Sequence, residues 1–85
     1  MALYVIERNY AERMEPNAAG VQEIEEINAD EGVRWVFSFL TANKLKTYCV
    51  YEASSPDAIL AAARRAGLPA DVIVEVDRVE AAMFT

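Results

Sequence analysis

The sequence predicts an α+β fold of order βαββαβ, a four-stranded antiparallel sheet with two helices on one face. Three observations carry this. Two stretches, after Asn17 and after Ser55, repeat apolar residues at helical spacing and end on a glycine. Four other stretches are rich in β-branched and aromatic residues. The middle two of these are separated by a short polar loop, which makes them a hairpin between the helices. At 85 residues, one domain spanning residues 1–85 has room for a single core.

Leu3–Arg8 (LYVIER) is the first strand, leaving through the charged pair Glu7 and Arg8, and the polar stretch up to Pro16 is a loop. Ala18, Val21, Ile24 and Ile27 then form the apolar stripe of a helix capped by Asn17 and stopped at Gly32. Val33–Leu40 (VRWVFSFL) and Leu45–Ala53 (LKTYCVYEA) form the hairpin. Ser54-Ser55-Pro56-Asp57 supplies a cap, a first-turn proline and an acid at the positive end of the helix dipole. The stripe of that helix is Ile59, Ala62, Ala63 and Ala66, with Arg64 and Arg65 in the last turn and Gly67 as its stop. Val72–Val79 is the last strand, and Glu80–Thr85 is left without an assignment. The element order is the ferredoxin-like plan.

Tyr4-Val5-Ile6-Glu7 echoes Cys49-Val50-Tyr51-Glu52. Taken as a pseudo-twofold, the echo places strands one and three side by side at the sheet centre, and they are expected there as a parallel pair. A hairpin register that keeps partners on one face puts Val33, Trp35, Phe37 and Phe39 with Ala53, Tyr51, Cys49 and Thr47 beneath the helices. Arg34, Val36, Ser38 and Leu40 then pair with Glu52, Val50, Tyr48 and Lys46 on the helix-free face, and a register shifted by one would mix the two sets and bury charges. Leu3, Val5 and Glu7 join that second face, as do Ile73, Glu75 and Asp77. An apolar belt of Leu3, Val5, Val36, Val50 and Ile73 there is too large a patch for a monomer. A homodimer, packed face to face or as a dimeric α+β barrel, is therefore expected.

Composition removes whole classes of chemistry. Eight Lys+Arg against 14 Asp+Glu leave a net charge of −6, which argues against nucleic acid or an anionic membrane as partner. The absence of His removes the Ser–His and Cys–His catalytic pairs and imidazole metal sites. The single Cys49 allows neither a disulfide nor a thiolate zinc site, and its predicted neighbours make it a small core residue. No signal-peptide core or membrane-length apolar run is present, so a cytoplasmic setting is expected. The glycines are isolated, which excludes a phosphate-binding loop. Glu23, Glu25, Glu26, Asp30 and Glu31 read as a solvated helix face, and Trp35, Phe37, Phe39 and Tyr51 as core rather than a base-stacking platform.

One ionisable set is expected to converge: Glu7, Arg34, Glu52 and Glu75, with Tyr48 beside them, at one end of the helix-free face. The carboxylates there would hold a cation, or Arg34 an anion. The simpler account is a cross-strand Arg34–Glu52 ion pair worth about 0.2–1 kcal/mol. No nucleophile or oxyanion device accompanies the set, so no catalytic residue is assigned.

The strand LYVIERN, the strand VRWVFSF and the run TYCVYEASSPDAILAAARRAGLPADVIVEV resemble a family of small bacterial proteins catalogued as a domain of unknown function, which includes an actinobacterial nickel-binding protein. The similarity covers nearly the whole chain and is strongest from Val33 to Val76. It implies a ferredoxin-like dimer and raises nickel or another divalent cation as a ligand. Relatives often carry His after the first strand and near the end of the second helix. This chain has Asn9 and Tyr10 at the first place and Arg64, Arg65 and Ala66 at the second. A His-based nickel site is therefore not inherited, and only carboxylates such as Glu7, Glu52 or Glu75 are left as ligands. The leading expectation is a non-enzymatic homodimeric binding module, its site at Glu7, Arg34, Tyr48, Glu52 and Glu75. A small-molecule isomerase or monooxygenase-like barrel using a carboxylate and Tyr48, and a structural dimer without ligand, are the alternatives.

Overall fold

Two short polar side chains start the helices. In the computed structural model of the chain, which describes residues 1–85, Asn17 is extended and its Oδ1 accepts the Gly20 N–H at 2.8 Å, opening α1 (Ala18–Glu31). Ser55 Oγ accepts the Ala58 N–H at 3.3 Å ahead of α2 (Pro56–Ala66), whose proline occupies the first turn, where no donor is needed. Gly32 and Gly67 end the helices at φ 71° and 68°, and their N–H groups close on carbonyls of the last turn. Four strands, β1 (Ala2–Asn9), β2 (Arg34–Leu40), β3 (Lys46–Ala53) and β4 (Val72–Val76), form one sheet in the order β2-β3-β1-β4, with every pair antiparallel. This is the ferredoxin-like plan. β4 is shorter than the expected Val72–Val79, and residues 81–84 form an exposed 3₁₀ turn.

The expected parallel pairing of strands one and three is corrected by the register. A crossover helix returns the second strand parallel to the first, and the hairpin then reverses the third, so β1 and β3 must be antiparallel. Val5 stands opposite Val50, Glu7 opposite Tyr48, and Leu3 opposite Glu52. The echo survives as a twofold perpendicular to the sheet between Val5 and Val50. That operation preserves faces and exchanges ends.

The expected hairpin register holds only at its open end. Arg34 pairs with Glu52 and Trp35 with Tyr51; a β-bulge between Trp35 and Phe37 then shifts the partners by one. Phe37 now faces Val50, Ser38 Cys49, Phe39 Tyr48 and Leu40 Thr47. The shift buries no charge. It brings Ser38 beneath the helices, where its Oγ accepts the Trp35 indole N–H at 2.8 Å, and turns Phe37 and Phe39 outward. On β4 the expected faces are reversed. Ile73 pairs with Ile6 and Glu75 with Tyr4 on the helix side, leaving Val72, Val74 and Val76 on the open face.

The core lies between the sheet and the helices: Tyr4, Ile6, Cys49, Tyr51 and Ala53 from the strands, Ile27, Ile59 and Ala62 from the helices. Ile6 and Ile59 are the largest wholly buried side chains, and each contributes about 1.5–3 kcal/mol by its burial. The α2 stripe is as expected. In α1 the three-residue repeat drifts around a helix of 3.6 residues per turn, so Ile27 is buried, Val21 and Ile24 half-buried, and Ala18 exposed.

Candidate functional site

The bulge and the antiparallel register decide what each sheet face can do. The helix-free face carries three rows across β2, β3, β1 and β4: Phe39, Tyr48, Glu7 and Val72; Phe37, Val50, Val5 and Val74; Arg34, Glu52, Leu3 and Val76. The middle row is apolar throughout. Phe37, Phe39, Tyr48, Val72 and Val74 are exposed, and the Phe37 and Phe39 rings meet edge to face with centroids 5.2 Å apart. Beside the lower rows an open groove of about 360 Å³ is completed by the chain after β4, from Asp77 to Glu80.

The five residues expected to converge do not form one cluster. Arg34 and Glu52 pair directly: both Nε, at 2.9 Å, and Nη2 reach Glu52 Oε1. Glu7 and Tyr48 face each other four residues further along the strands, about 13 Å away at ordinary strand rise. There Lys46 Nζ lies 3.7 Å from Glu7 Oε1 and 5.7 Å from the centre of the Tyr48 ring. Glu75 is exposed on the edge strand, on the other side of the sheet. Both ion pairs are substantially solvated, so each is worth about 0.2–1 kcal/mol and serves mainly to mark the rim of the apolar face.

The opposite face holds a feature absent from the expectations. Tyr4, Ile6 and Arg8 alternate inward along β1, so the arginine read as part of a charged exit is instead 2% exposed. Its Nη1 donates to the Pro69 carbonyl at 2.5 Å, and its guanidinium lies 5.7 Å from the centre of the Tyr51 ring. Arg8 takes part in none of the chain's ion pairs. Beside it, a cavity of about 170 Å³ opens between α1, the loop before it and the sheet. Tyr10 and Thr47 join their hydroxyls at 2.9 Å on its wall, and Cys49 Sγ lies 3.5 Å from Thr47 Oγ1. Burial pushes the Tyr10 and Tyr51 hydroxyls above the ordinary tyrosine pKa, opposed by their hydrogen bonds to Thr47 and Asn28. The signal in the sequence was strict alternation: a charge two residues after Ile6 shares the face of Ile6.

Residues 4–76 match the family described as nickel responsive protein SCO4226-like. The chain belongs to this family. The crystal structure of SCO4226 from Streptomyces coelicolor A3(2) is similar over 93% of this chain and 100% of that one, with a TM-score of 0.71 and 20% sequence identity. At that identity the likeness speaks for the fold alone. No curated protein matches.

The donor set of this SCO4226-like chain does not fit nickel. It has no imidazole, its one thiol is buried in the core, and no three of its Cys, Asp and Glu side chains come together to hold an ion. Of the carboxylates left as ligands by the sequence, Glu7 and Glu52 stand at opposite ends of one face and Glu75 lies on the other side of the sheet. No helix is long and apolar enough to cross a membrane.

Proposed function

We propose that the protein is a non-enzymatic homodimeric binding module whose helix-free sheet face is its self-association surface. The observation that carries this reading is the apolar middle row, flanked by exposed Phe39, Tyr48 and Val72. Its setting suits a second copy of the same chain. The rim carries both signs, Arg34 with Glu52 at one end and Lys46 with Glu7 at the other, so a twofold can oppose unlike charges. The acidic run of α1 lies on the far side of the sheet, away from the association face. Exposed aromatics on such a sheet also suit base stacking, but a net charge of −6 supplies no counterion release.

Relatives described as nickel-responsive lend the module its fold. The donors of this chain lend no support to the same ion, and the reading is of a module that takes a different ligand. Sedimentation equilibrium tests the association. The native chain is expected as a dimer, and Phe37→Asp, which places a charge in the middle row, is expected to shift it to monomer with the helices intact by circular dichroism. A native monomer at tens of micromolar would sink the reading.

A further inference from the structure

We infer that the cavity beside Arg8 is a binding site for a small carboxylate with an apolar body. This names a ligand class for the binding-module reading and is independent of self-association, because the cavity lies on the other side of the sheet.

A guanidinium keeps its charge under all ordinary conditions, so Arg8 carries a full positive charge to a place where it is 2% exposed. Burying a charge is unfavourable unless a counter-charge or a full set of acceptors accompanies it. Here one N–H is answered by the Pro69 carbonyl and one face by the Tyr51 ring, and no carboxylate of the chain is paired with it. Besides these the Tyr51 hydroxyl is placed to accept from it, and no buried side-chain nitrogen is sealed without a partner, so the donors left over retain access to the cavity that Arg8 lines. A buried guanidinium with donors turned to a cavity suits an anion there.

The rest of the wall says what the anion is attached to. Val21, Ile24, Leu40 and Leu68 give the cavity an apolar side, and the Tyr10 and Tyr51 hydroxyls add donors close to Arg8. A space of about 170 Å³ is near that of cavities known to hold a benzene ring. Planar, two-pronged donation from arginine matches a carboxylate. A bare inorganic anion would leave the apolar wall unused, and a neutral molecule would leave the charge unanswered. The site therefore recognises a monocarboxylate carrying a body about the size of one six-membered ring.

Amide chemical shifts of the intact protein test this with benzoate, benzamide and inorganic phosphate as probes. Benzoate is expected to give saturable shifts centred on Arg8, Thr47 and Tyr51, and benzamide to bind about ten- to a hundredfold more weakly, the difference a charge-assisted hydrogen bond makes. Arg8→Met should remove the preference for benzoate, and Ile24→Trp should fill the cavity and remove both. Comparing benzoate with benzamide on the native chain needs no variant, so a variant that fails to fold does not rescue the idea. Equal binding of the two, phosphate binding as tightly as benzoate, or saturation at another surface would each overturn it, as would no saturable shift with millimolar benzoate. A native monomer that still prefers benzoate would end the dimer reading and leave this one standing.

Discussion

At Tyr51 the hydroxyl is enclosed beside Asn28 and Arg8, and at Tyr10 it meets Thr47 on the cavity wall, so losing either proton places a phenolate where little water reaches. Burial is the largest influence on both, and it raises their pKa above the usual value of 10.0. A group whose folded-state pKa is raised stabilises the fold fully below its unfolded value, and that contribution is lost as pH rises through the folded one. Stability is therefore expected to fall as pH climbs past about 10, and Tyr51→Phe to make the fall shallower. Thermal melts across that range, with tyrosinate absorbance followed in parallel in the native chain and the Tyr51→Phe variant, check it; Tyr10 and Tyr51 ionising near pH 10 in a folded chain would contradict it. Arg8 shows what single residues withheld from a reading of the sequence. Its alternation with Tyr4 and Ile6 was visible, but a charged residue at a strand end is ordinarily solvated. What buries it is a segment far along the chain, which brings the Pro69 carbonyl to its Nη1. Ser38 is the converse case, a polar residue read as outward that turns in because the Trp35 indole needs an acceptor.

The helices were legible because their ends are written in short-range chemistry. Asn17 and Ser55 cap, Gly32 and Gly67 stop, and each acts within four residues of itself. The glycines can be separated by their φ values. At Gly67 the backbone sits at φ 68°, so Gly67→Ala is expected to destabilise the chain by about 1 kcal/mol through backbone strain, although nothing stands within 4 Å of the added Cβ. Gly20 lies in ordinary helical backbone, and its Cβ would meet Asn17 Oδ1 at 3.4 Å, a normal contact. Gly20→Ala is therefore expected to stabilise by about 0.5–1 kcal/mol. In a domain of this size each kcal/mol moves the Tm by about 4–8 °C, so the two variants should melt on opposite sides of the native chain. The same direction for both would refute the assignment. The bulge in β2 carries no such short-range mark. Val36 is an ordinary strand residue, with no glycine or proline to announce an extra position, and an unbroken register satisfied the apolar pattern equally well until Trp35 was packed.

At the scale of the whole molecule, strand direction misplaced the centre of the candidate site, and the reversed faces of β4 removed Glu75 from it. The echo between β1 and β3 identified equivalent residues and their faces correctly, but a perpendicular twofold sends Glu7 and Glu52 to opposite ends of the sheet. What the antiparallel arrangement leaves at the centre is Val5 against Val50, and that makes the face apolar where it is widest. The consequence shows in the surface. A monomer of 9.4 kDa ordinarily exposes about 5,000 Å², whereas this chain exposes 5648 Å². Its radius of gyration is 13.3 Å, against about 12 Å for a compact chain of its length. The excess lies in the open face and in the segment after β4, where Val79, Met83 and Phe84 are more than half exposed. A standard interface withdraws about 800 Å² from each partner, the same order as this excess. Because association stabilises only the folded, paired state, the Tm of the native chain is expected to rise with protein concentration. Phe37→Asp should lower the Tm and make it independent of concentration, since a monomer unfolds without a mass-action contribution. Melts over a hundredfold dilution series decide it. A native Tm that stays level across the series would mean that the open face is left to solvent and that the two helices alone stabilise the sheet.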